Sequence, residues 1–229
     1  MIEIEYRVEK KYIVSNLDLK VLEHRLENIM SADAHQTGES YTVRSLYFDD
    51  IENSCLESNE RGVNYRKKYR IRTYSGENSP LNLEIKEKRN GFNKKHICSV
   101  SKNEFFDIVN GEISDFDSER PVLNELILQM RCKNMRPAVI IEYERTAFVC
   151  NSGNVRITFD RNIKASRDID SFFDDELSDS QFILPSGKQI LEVKYDEFLP
   201  DVIAKQLELK KLRKTAFSKY YYGRLATDY

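Results

Sequence analysis

The chain has 229 residues, of which 40% are hydrophobic and 32% are charged, enough for a folded domain with a substantial core. Its 36 basic and 38 acidic residues nearly cancel and give a formal net charge of -2. This balance argues against non-specific nucleic-acid binding, so any anion site has to come from a local arrangement of charge.

The cysteine, histidine and hydropathy patterns predict a cytoplasmic protein with reduced thiols and without a transmembrane segment. The four cysteines and three histidines are scattered without metal-ligand spacing, which is typical of reduced thiols in a cytoplasmic protein and predicts no zinc site. We find no signal peptide and no run of 18 apolar residues. We therefore expect no transmembrane segment in this chain, which leaves room for a separate membrane partner.

The first half of the sequence alternates strand-like and helix-like patterns. Residues 4–14 are predicted to form a strand, and Ser15 can cap a helix whose leucines follow at helical spacing. Further strands are predicted over residues 43–48, 65–74, 81–88 and 94–100, with a short helix over 51–59. Turn-forming residues at 76–80 and 90–91 would join the last three strands.

The second half adds helices and completes the sheet. Ser101 and Glu104 match a capping box and predict a helix, and another helix is predicted over 121–132. Strands are predicted over 137–148, 155–160 and 189–195, a loop over 168–179, and a helical tail from residue 201. Because turns join most strands, we predict an α+β fold in a single domain over 1–229. We expect its strands, about eight in number, to form a closed antiparallel barrel, with helices packed outside the barrel and at its ends.

Several predicted strands carry charge on one face. Residues 65–72 show this most clearly, because alternate side chains of a strand point to opposite faces. One face carries Arg66, Lys68, Arg70 and Arg72, and the other carries Tyr65, Tyr69 and Ile71. For one strand, a solvated outer face explains the pattern. Because the pattern recurs and the amphipathic helices need the apolar faces, we expect the charged faces to line the barrel interior and hold an anion.

The charged faces are expected to hold a polyanion together with its metal ion. Burying many cations without a partner costs several kcal/mol each, and a polyanion with its metal ion can offset that cost. Arginine suits phosphate because its fork binds two oxygens at once.

Within residues 139–145, alternation predicts that Arg145 points inward and that Glu142 and Glu144 face solvent.

An ordered series of short motifs resembles a known family. The motifs are RVEKKYIV (7–14), SLYFD (45–49), YRIRTY (69–74), LEIK (83–86), EYERTAF (142–148), RITFD (156–160), LEVKY (191–195) and FSKY (217–220). Together they resemble the triphosphate tunnel metalloenzymes of the CYTH-like superfamily. Within it they are most similar to the VTC domain, the polyphosphate polymerase domain of the vacuolar transporter chaperone complex.

The resemblance implies a basic tunnel that binds ATP and polyphosphate with a divalent metal, Mn²⁺ or Mg²⁺. It implies catalytic roles for Arg70, Arg72, Lys86, Arg145 and Glu192, with Glu192 as the metal ligand. It implies substrate-binding roles for Arg7, Lys11, Lys95, Arg156, Lys194 and Lys219. Nucleic acid is not among the implied partners, and the oligomeric state, acceptor and preferred metal stay open.

One departure from the family pattern bears on the reaction. Hydrolytic relatives often carry Glu-x-Glu-x-Lys on the first strand, whereas this chain has Arg7, Glu9 and Lys11. Fewer carboxylates weaken metal-assisted activation of water, which favours phosphoryl transfer to another phosphate. The leading hypothesis is therefore a polyphosphate polymerase. The alternatives are a triphosphate or nucleoside triphosphate hydrolase of the same fold, and a non-catalytic polyphosphate sensor.

Overall fold

A computed structural model describes residues 7–34, 36, 38–75, 79–89, 92–112, 115–208 and 212–228. Its helices are α1 (Asn16–Glu27), α2 (Ser54–Glu60), α3 (Lys102–Asn110), α4 (Pro121–Lys133), α5 (Asp201–Leu207) and α6 (Lys219–Thr227). Its strands are β1 (Val8–Ser15), β2 (Ser31–Ala32), β3 (Tyr41–Asp49), β4 (Tyr65–Tyr74), β5 (Leu81–Arg89), β6 (Phe92–Val100), β7 (Arg136–Cys150), β8 (Val155–Ser166), β9 (Gln181–Phe182), β10 (Lys188–Tyr195) and β11 (Lys214–Thr215).

Local signals placed most of these elements correctly. Ser15 and Ser101 cap α1 and α3, and both form the reciprocal capping box in which the third helical residue bonds back to the cap. Strand β4 begins and ends at the predicted residues. Strand β8 runs six residues beyond its predicted end, and the acidic segment contains a short 3-10 helix, Ile169–Phe173. Residues 76–78 of the turn predicted at 76–80, and the whole turn predicted at 90–91, lie outside the described residues.

The strands form an antiparallel sheet that is open. Its order is β11-β1-β10-β8-β7-β3-β4-β5-β6, with β2 beside β7 and β9 beside β8. Eight of the eleven described strands have more than two residues, which agrees with the predicted strand number. The predicted closed barrel is wrong, because closure requires the end strands to pair and the described β11 and β6 each end the order.

The described chain divides into two compact units. The first unit takes residues from 1–42, 143–163 and 182–218. One face of its sheet is apolar, with Leu191 and Val193 of β10 packing beside Ile157 of β8. Helices α1 and α5 cover this face with buried leucines and isoleucine: Leu19, Leu22, Leu26, Ile203 and Leu207. The opposite face of these strands carries the charged residues.

The second unit takes residues from 43–142, 164–181 and 219–229. Its strands β4 and β5 bury Tyr69, Ile71 and Leu83 on one face. Helix α4 lies on that face, since the Tyr69 hydroxyl donates to the Glu125 carboxylate of α4 at 3.0 Å. The cations Arg66, Lys68, Arg70 and Arg72 lie on the other face of β4, whereas Lys67 shares the helix-covered face and donates to Glu125 at 2.9 Å. Each unit thus has a mainly apolar face under helices and a face rich in charge.

In the described ranges, no helix is long and apolar enough to cross a membrane. The single domain over 1–229 stays a prediction.

Candidate functional site

The second unit holds a cluster of cations around one carboxylate, which we call the basic cluster: Lys68, Arg70, Arg72, Lys86, Lys95 and Glu84. Arg70 of β4 lies directly opposite Glu84 of β5, and its Nε donates to Glu84 Oε2 at 2.7 Å. Lys95 Nζ of β6 lies 2.8 Å from Glu84 Oε1, and Arg72 Nη1 lies 3.7 Å from the same oxygen. A single carboxylate thus contacts three predicted site cations.

Three lysines of the basic cluster follow one another across the strands. Lys68 of β4 pairs in register with Lys86 of β5, and Lys86 pairs with Lys95 of β6. Like charges placed directly opposite each other destabilise a sheet. Lys68 Nζ donates to Asn59 Oδ1 at 2.6 Å. The register therefore places three lysines side by side on one sheet face, together with two arginines and Glu84.

The electrostatics of the basic cluster favour ionised anions. Burial opposes ionisation of Glu84, but Arg70, Arg72 and Lys95 lower its pKa to about 2. Tyr47 accepts a hydrogen bond from Arg70 Nη1 at 2.8 Å. Burial alone would raise the pKa of Tyr47, yet the charges of Arg70, Arg72 and Lys219 bring it below its usual value. The half-buried Lys219, on α6, thus acts on the same group as two predicted arginines.

The first unit holds a second set of charges, which we call the mixed cluster: Glu9, Lys11, Arg156, Glu192 and Lys194. Glu9 lies opposite Lys194 in register, and Lys11 lies opposite Glu192. Lys194 Nζ is 2.6 Å from Glu192 Oε1 and 4.0 Å from Glu9 Oε2. Lys11 Nζ is 3.0 Å from Glu9 Oε1 and donates to the Phe217 carbonyl at 3.1 Å. Acidic and basic side chains therefore alternate across β1 and β10.

Two predicted arginines of the first unit are held by buried aspartates. Arg145 donates through Nε and Nη2 to both carboxylate oxygens of Asp160, at 2.6 and 2.9 Å. Despite the burial that opposes its charge, Asp160 keeps the pKa of Arg145 well above its usual value. Arg156 Nε lies 3.0 Å from Asp33 Oδ2, and its Nη2 donates to the Tyr41 hydroxyl at 3.2 Å. A phosphate that contacts either arginine would compete with an existing partner.

Arg7 stands apart from the mixed cluster in its contacts. Its Nε lies 2.9 Å from Asp196 Oδ1, and it also contacts the Asn154 carbonyl. The structure thus assigns Arg7 a local counter-ion at the start of β1, and its predicted role in phosphate binding stays a prediction.

Sequence reasoning missed the counter-ions of the predicted cations. Glu84 and Asp160 lay inside quoted motifs, and Asp33 lay outside them, but alternation gives only the face of a side chain and not its cross-strand partner. The prediction that Glu142 faces solvent is wrong. Glu142 is half-buried and accepts a hydrogen bond from Arg44 Nε at 2.6 Å, because a buried arginine on β3 needs a counter-ion.

The donor set of the mixed cluster suits a hard divalent cation only in part. No group of three His, Cys, Asp or Glu side chains able to hold a metal occurs within the described part of the chain. Glu192 and Glu9 supply two carboxylates on neighbouring strands. Mg²⁺ is commonly held by one or two carboxylates together with water and substrate phosphates, so these residues fit a metal that is shared with a phosphate ligand.

Comparison with solved structures identifies the fold class. HpAC1 from Hippeastrum, a candidate adenylyl cyclase with a dominant triphosphatase activity, superimposes with a TM-score of 0.59 at 12% identity, covering 97% of this chain and 96% of that one. The PH1819 protein from Pyrococcus horikoshii OT3 gives a TM-score of 0.52 at 11% identity, covering 94% and 97%. This chain therefore shares its fold with HpAC1 and the PH1819 protein.

The family follows from the sequence itself. The VTC domain model matches residues 6–227, nearly the whole chain. The chain therefore belongs to the VTC domain family, as the ordered motifs indicated. A search of curated proteins finds no match to this sequence.

Proposed function

We propose that this chain is a polyphosphate polymerase that transfers the γ-phosphate of ATP to a growing polyphosphate chain. The observation that carries the proposal is the basic cluster, where a row of lysines and two arginines share a strand face with one carboxylate. Cations placed side by side on one sheet face match a polyanion of regularly spaced charges, and each arginine can bind two phosphate oxygens at once.

The chemistry needs positioning and charge neutralisation more than covalent participation by the protein. The bond between the γ-phosphorus and the β,γ-bridging oxygen breaks, and a bond forms from that phosphorus to a terminal oxygen of the polyphosphate chain. ADP leaves with the electron pair of the broken bond. The acceptor oxygen is already ionised, so no general base is required. Arg70, Arg72 and Lys86 would bind phosphate oxygens whose charge changes during this transfer.

The mixed cluster would contribute the metal-binding side of the reaction. Glu192, with Glu9 beside it, would hold Mn²⁺ or Mg²⁺, which neutralises charge on phosphate oxygens when bound. Lys11 and Lys194 already neighbour these carboxylates and would contact phosphate together with Arg156. Arg145 is bound to Asp160, so it would bind phosphate through an N–H group that this pair leaves accessible, or it would hold neighbouring side chains of the same strand face in position.

A triphosphate hydrolase is the second candidate, because HpAC1 shares the fold and has a dominant triphosphatase activity. The carboxylate supply weighs against hydrolysis. Arg7, where hydrolytic relatives carry glutamate, contacts Asp196, so the first strand offers Glu9 without a second carboxylate two residues earlier. Fewer oxygen ligands leave less capacity for a second metal and for a metal-activated water.

One incubation separates the candidates. Purified chain is mixed with ATP and Mn²⁺, phosphate chains are resolved on a gel, and ADP and orthophosphate are quantified. We expect chains to lengthen while ADP accumulates in equal amount to the phosphate incorporated. Orthophosphate without chains would establish the hydrolase instead. Thermal stabilisation by polyphosphate without any turnover would indicate a sensor, since a ligand that binds only the folded state raises its stability.

A further inference from the structure

A buried hydroxyl without a hydrogen-bond partner lies next to the mixed cluster in the sheet. Thr158 lies in β8 and is 3% exposed, and its Oγ1 makes no hydrogen bond. An unsatisfied buried polar group costs stability, so such an atom in a folded protein calls for an explanation. The explanation depends on what surrounds the hydroxyl.

The neighbours of Thr158 place its hydroxyl beside the predicted metal ligand. Thr158 lies directly opposite Glu192 of β10 in the antiparallel register, so both side chains point to the same face. Arg156 and Asp160, two residues away on either side, share that face but bond to Asp33 and Arg145. Neither of these two bonds involves the Thr158 hydroxyl.

A second threonine of the same unit shows what a structural hydroxyl looks like. Thr146 is also buried, and its Oγ1 accepts a hydrogen bond from Arg161 Nη1 at 2.7 Å and donates to the Glu39 carbonyl at 3.1 Å. Thr146 therefore supports the fold through both of its hydrogen-bonding functions. Thr158 supports it through neither, although it is equally removed from water.

We infer that the Thr158 hydroxyl is a further ligand of the divalent cation that Glu192 binds. The inference rests on the proposed function, and it adds a third ligand residue to Glu9 and Glu192, the two carboxylates that the described part of the chain supplies there. Hydroxyl and carboxylate oxygens are the hard donors that Mg²⁺ and Mn²⁺ prefer. A bound cation would satisfy the Oγ1 lone pairs, and the hydroxyl proton would then be free to donate to a phosphate oxygen.

The test measures Mn²⁺ binding to the full chain directly, by the electron paramagnetic resonance signal of free Mn²⁺, without tripolyphosphate, because that ligand chelates Mn²⁺ itself. We expect Thr158→Val to weaken Mn²⁺ binding about tenfold, the range in which an outer or minor ligand acts. Thr158→Ser keeps the hydroxyl and should stay within about twofold of wild type. Because the hydroxyl has no partner, Thr158→Val should unfold in urea no earlier than wild type when metal is absent.

Thr146→Val is the matched control. It removes a bonded hydroxyl of the same unit, so it should lower stability and leave Mn²⁺ affinity unchanged. Wild-type affinity for Mn²⁺ in Thr158→Val would overturn the inference, and weakened tripolyphosphate binding at unchanged Mn²⁺ affinity would overturn it too. If the wild-type chain binds no Mn²⁺ at all, the metal assignment of the proposed function fails together with this inference, whereas failure confined to Thr158→Val leaves the proposed function standing.

Discussion

The two charged clusters differ in how their charges pair across the strands. In the mixed cluster, Lys11 faces Glu192 and Lys194 faces Glu9, so neighbouring side chains neutralise each other. In the basic cluster, Lys86 lies between Lys68 and Lys95, and like charges face each other. The same kind of strand face therefore pairs opposite charges across the strands in one unit and like charges in the other.

This difference suits the two clusters to two different tasks in phosphate chemistry, metal binding and polyanion binding. A region with balanced carboxylates and cations can hold a metal ion without strongly attracting a polyanion. A region with excess cations attracts the polyanion and gains stability when it binds. We therefore expect substitutions in the basic cluster to act on phosphate, and carboxylate substitutions in the mixed cluster to act on metal.

The largest effect is expected at Arg70 in the basic cluster. Arg70→Ala removes a fork that contacts both Glu84 and Tyr47, and we expect polyphosphate synthesis to fall about 1000-fold, the upper range for losing one group that stabilises developing charge. Initial rates of chain synthesis measure this. Arg61→Ala, which removes an exposed arginine paired with Glu57, is the control and should retain wild-type rates. A comparable loss of synthesis rate in Arg70→Ala and Arg61→Ala would show that Arg70 has no specific role in the transfer.

Glu84→Gln should lower stability and leave tripolyphosphate binding intact or tighter. Because Arg70, Arg72 and Lys95 lower the folded-state pKa of Glu84 from 4.5 to about 2, its charge contributes roughly 3 kcal/mol at neutral pH. This contribution is complete above pH 4.5 and is lost as the pH falls through that value toward 2. The unfolding free energy of wild type should therefore fall more steeply over this range than that of Glu84→Gln.

Urea unfolding at a series of pH values checks the Glu84 prediction, with tripolyphosphate titrations on the same protein. Parallel stability profiles for wild type and Glu84→Gln would show that the carboxylate is not held ionised by the basic cluster. Weaker tripolyphosphate binding would show that Glu84 supports the ligand instead of competing with it.

Glu192→Gln should act on metal and not on the polyanion. Loss of one carboxylate ligand is expected to weaken Mn²⁺ binding by at least about tenfold, while tripolyphosphate affinity without metal stays near wild type. Calorimetric titration with each ligand measures both. Glu84→Gln serves as the matched control, because it removes a buried carboxylate from the other unit and should leave Mn²⁺ affinity unchanged. Equal losses in the two variants would erase the distinction between the clusters.

The smallest effect is expected at Lys95. Its side chain is 45% exposed, so solvent screens its charge, and Lys95→Ala should weaken tripolyphosphate binding only about twofold to threefold. The loss should shrink as salt rises from 50 to 500 mM, which fluorescence or calorimetric titrations can follow. A salt-independent loss would indicate that Lys95 positions Glu84 instead of attracting phosphate.

The alternation of side chains made the strands and their charged faces predictable from sequence. Positions 66, 68, 70 and 72 are all cations, and β4 contains all four of them. Both serine-capped helices were equally readable, since their capping boxes depend on residues only three apart. The family was predictable because the motifs keep their order along the chain.

Long-range pairing was the part that sequence could not supply. Whether β6 and β11 meet is decided by accumulated twist and stagger over many strands, so the closed barrel could not be tested from local patterns. The pairing of Arg145 with Asp160 joins residues of two strands, and Arg156 with Asp33 joins residues 123 positions apart. Strands β2, β9 and β11 have two residues each, too short for any periodicity to show.

The attachment of α6 has a consequence for the speed and strength of ligand capture. Asp49, at the end of β3, accepts hydrogen bonds from the backbone of Cys55 and Leu56 in α2 and from the Tyr220 hydroxyl, and the Tyr220 ring lies 5.2 Å from that of Tyr47. Lys219 is the residue before Tyr220, so its backbone is fixed by contacts that involve no phosphate. Such preorganisation removes the entropic penalty of arranging a cation at the moment of encounter.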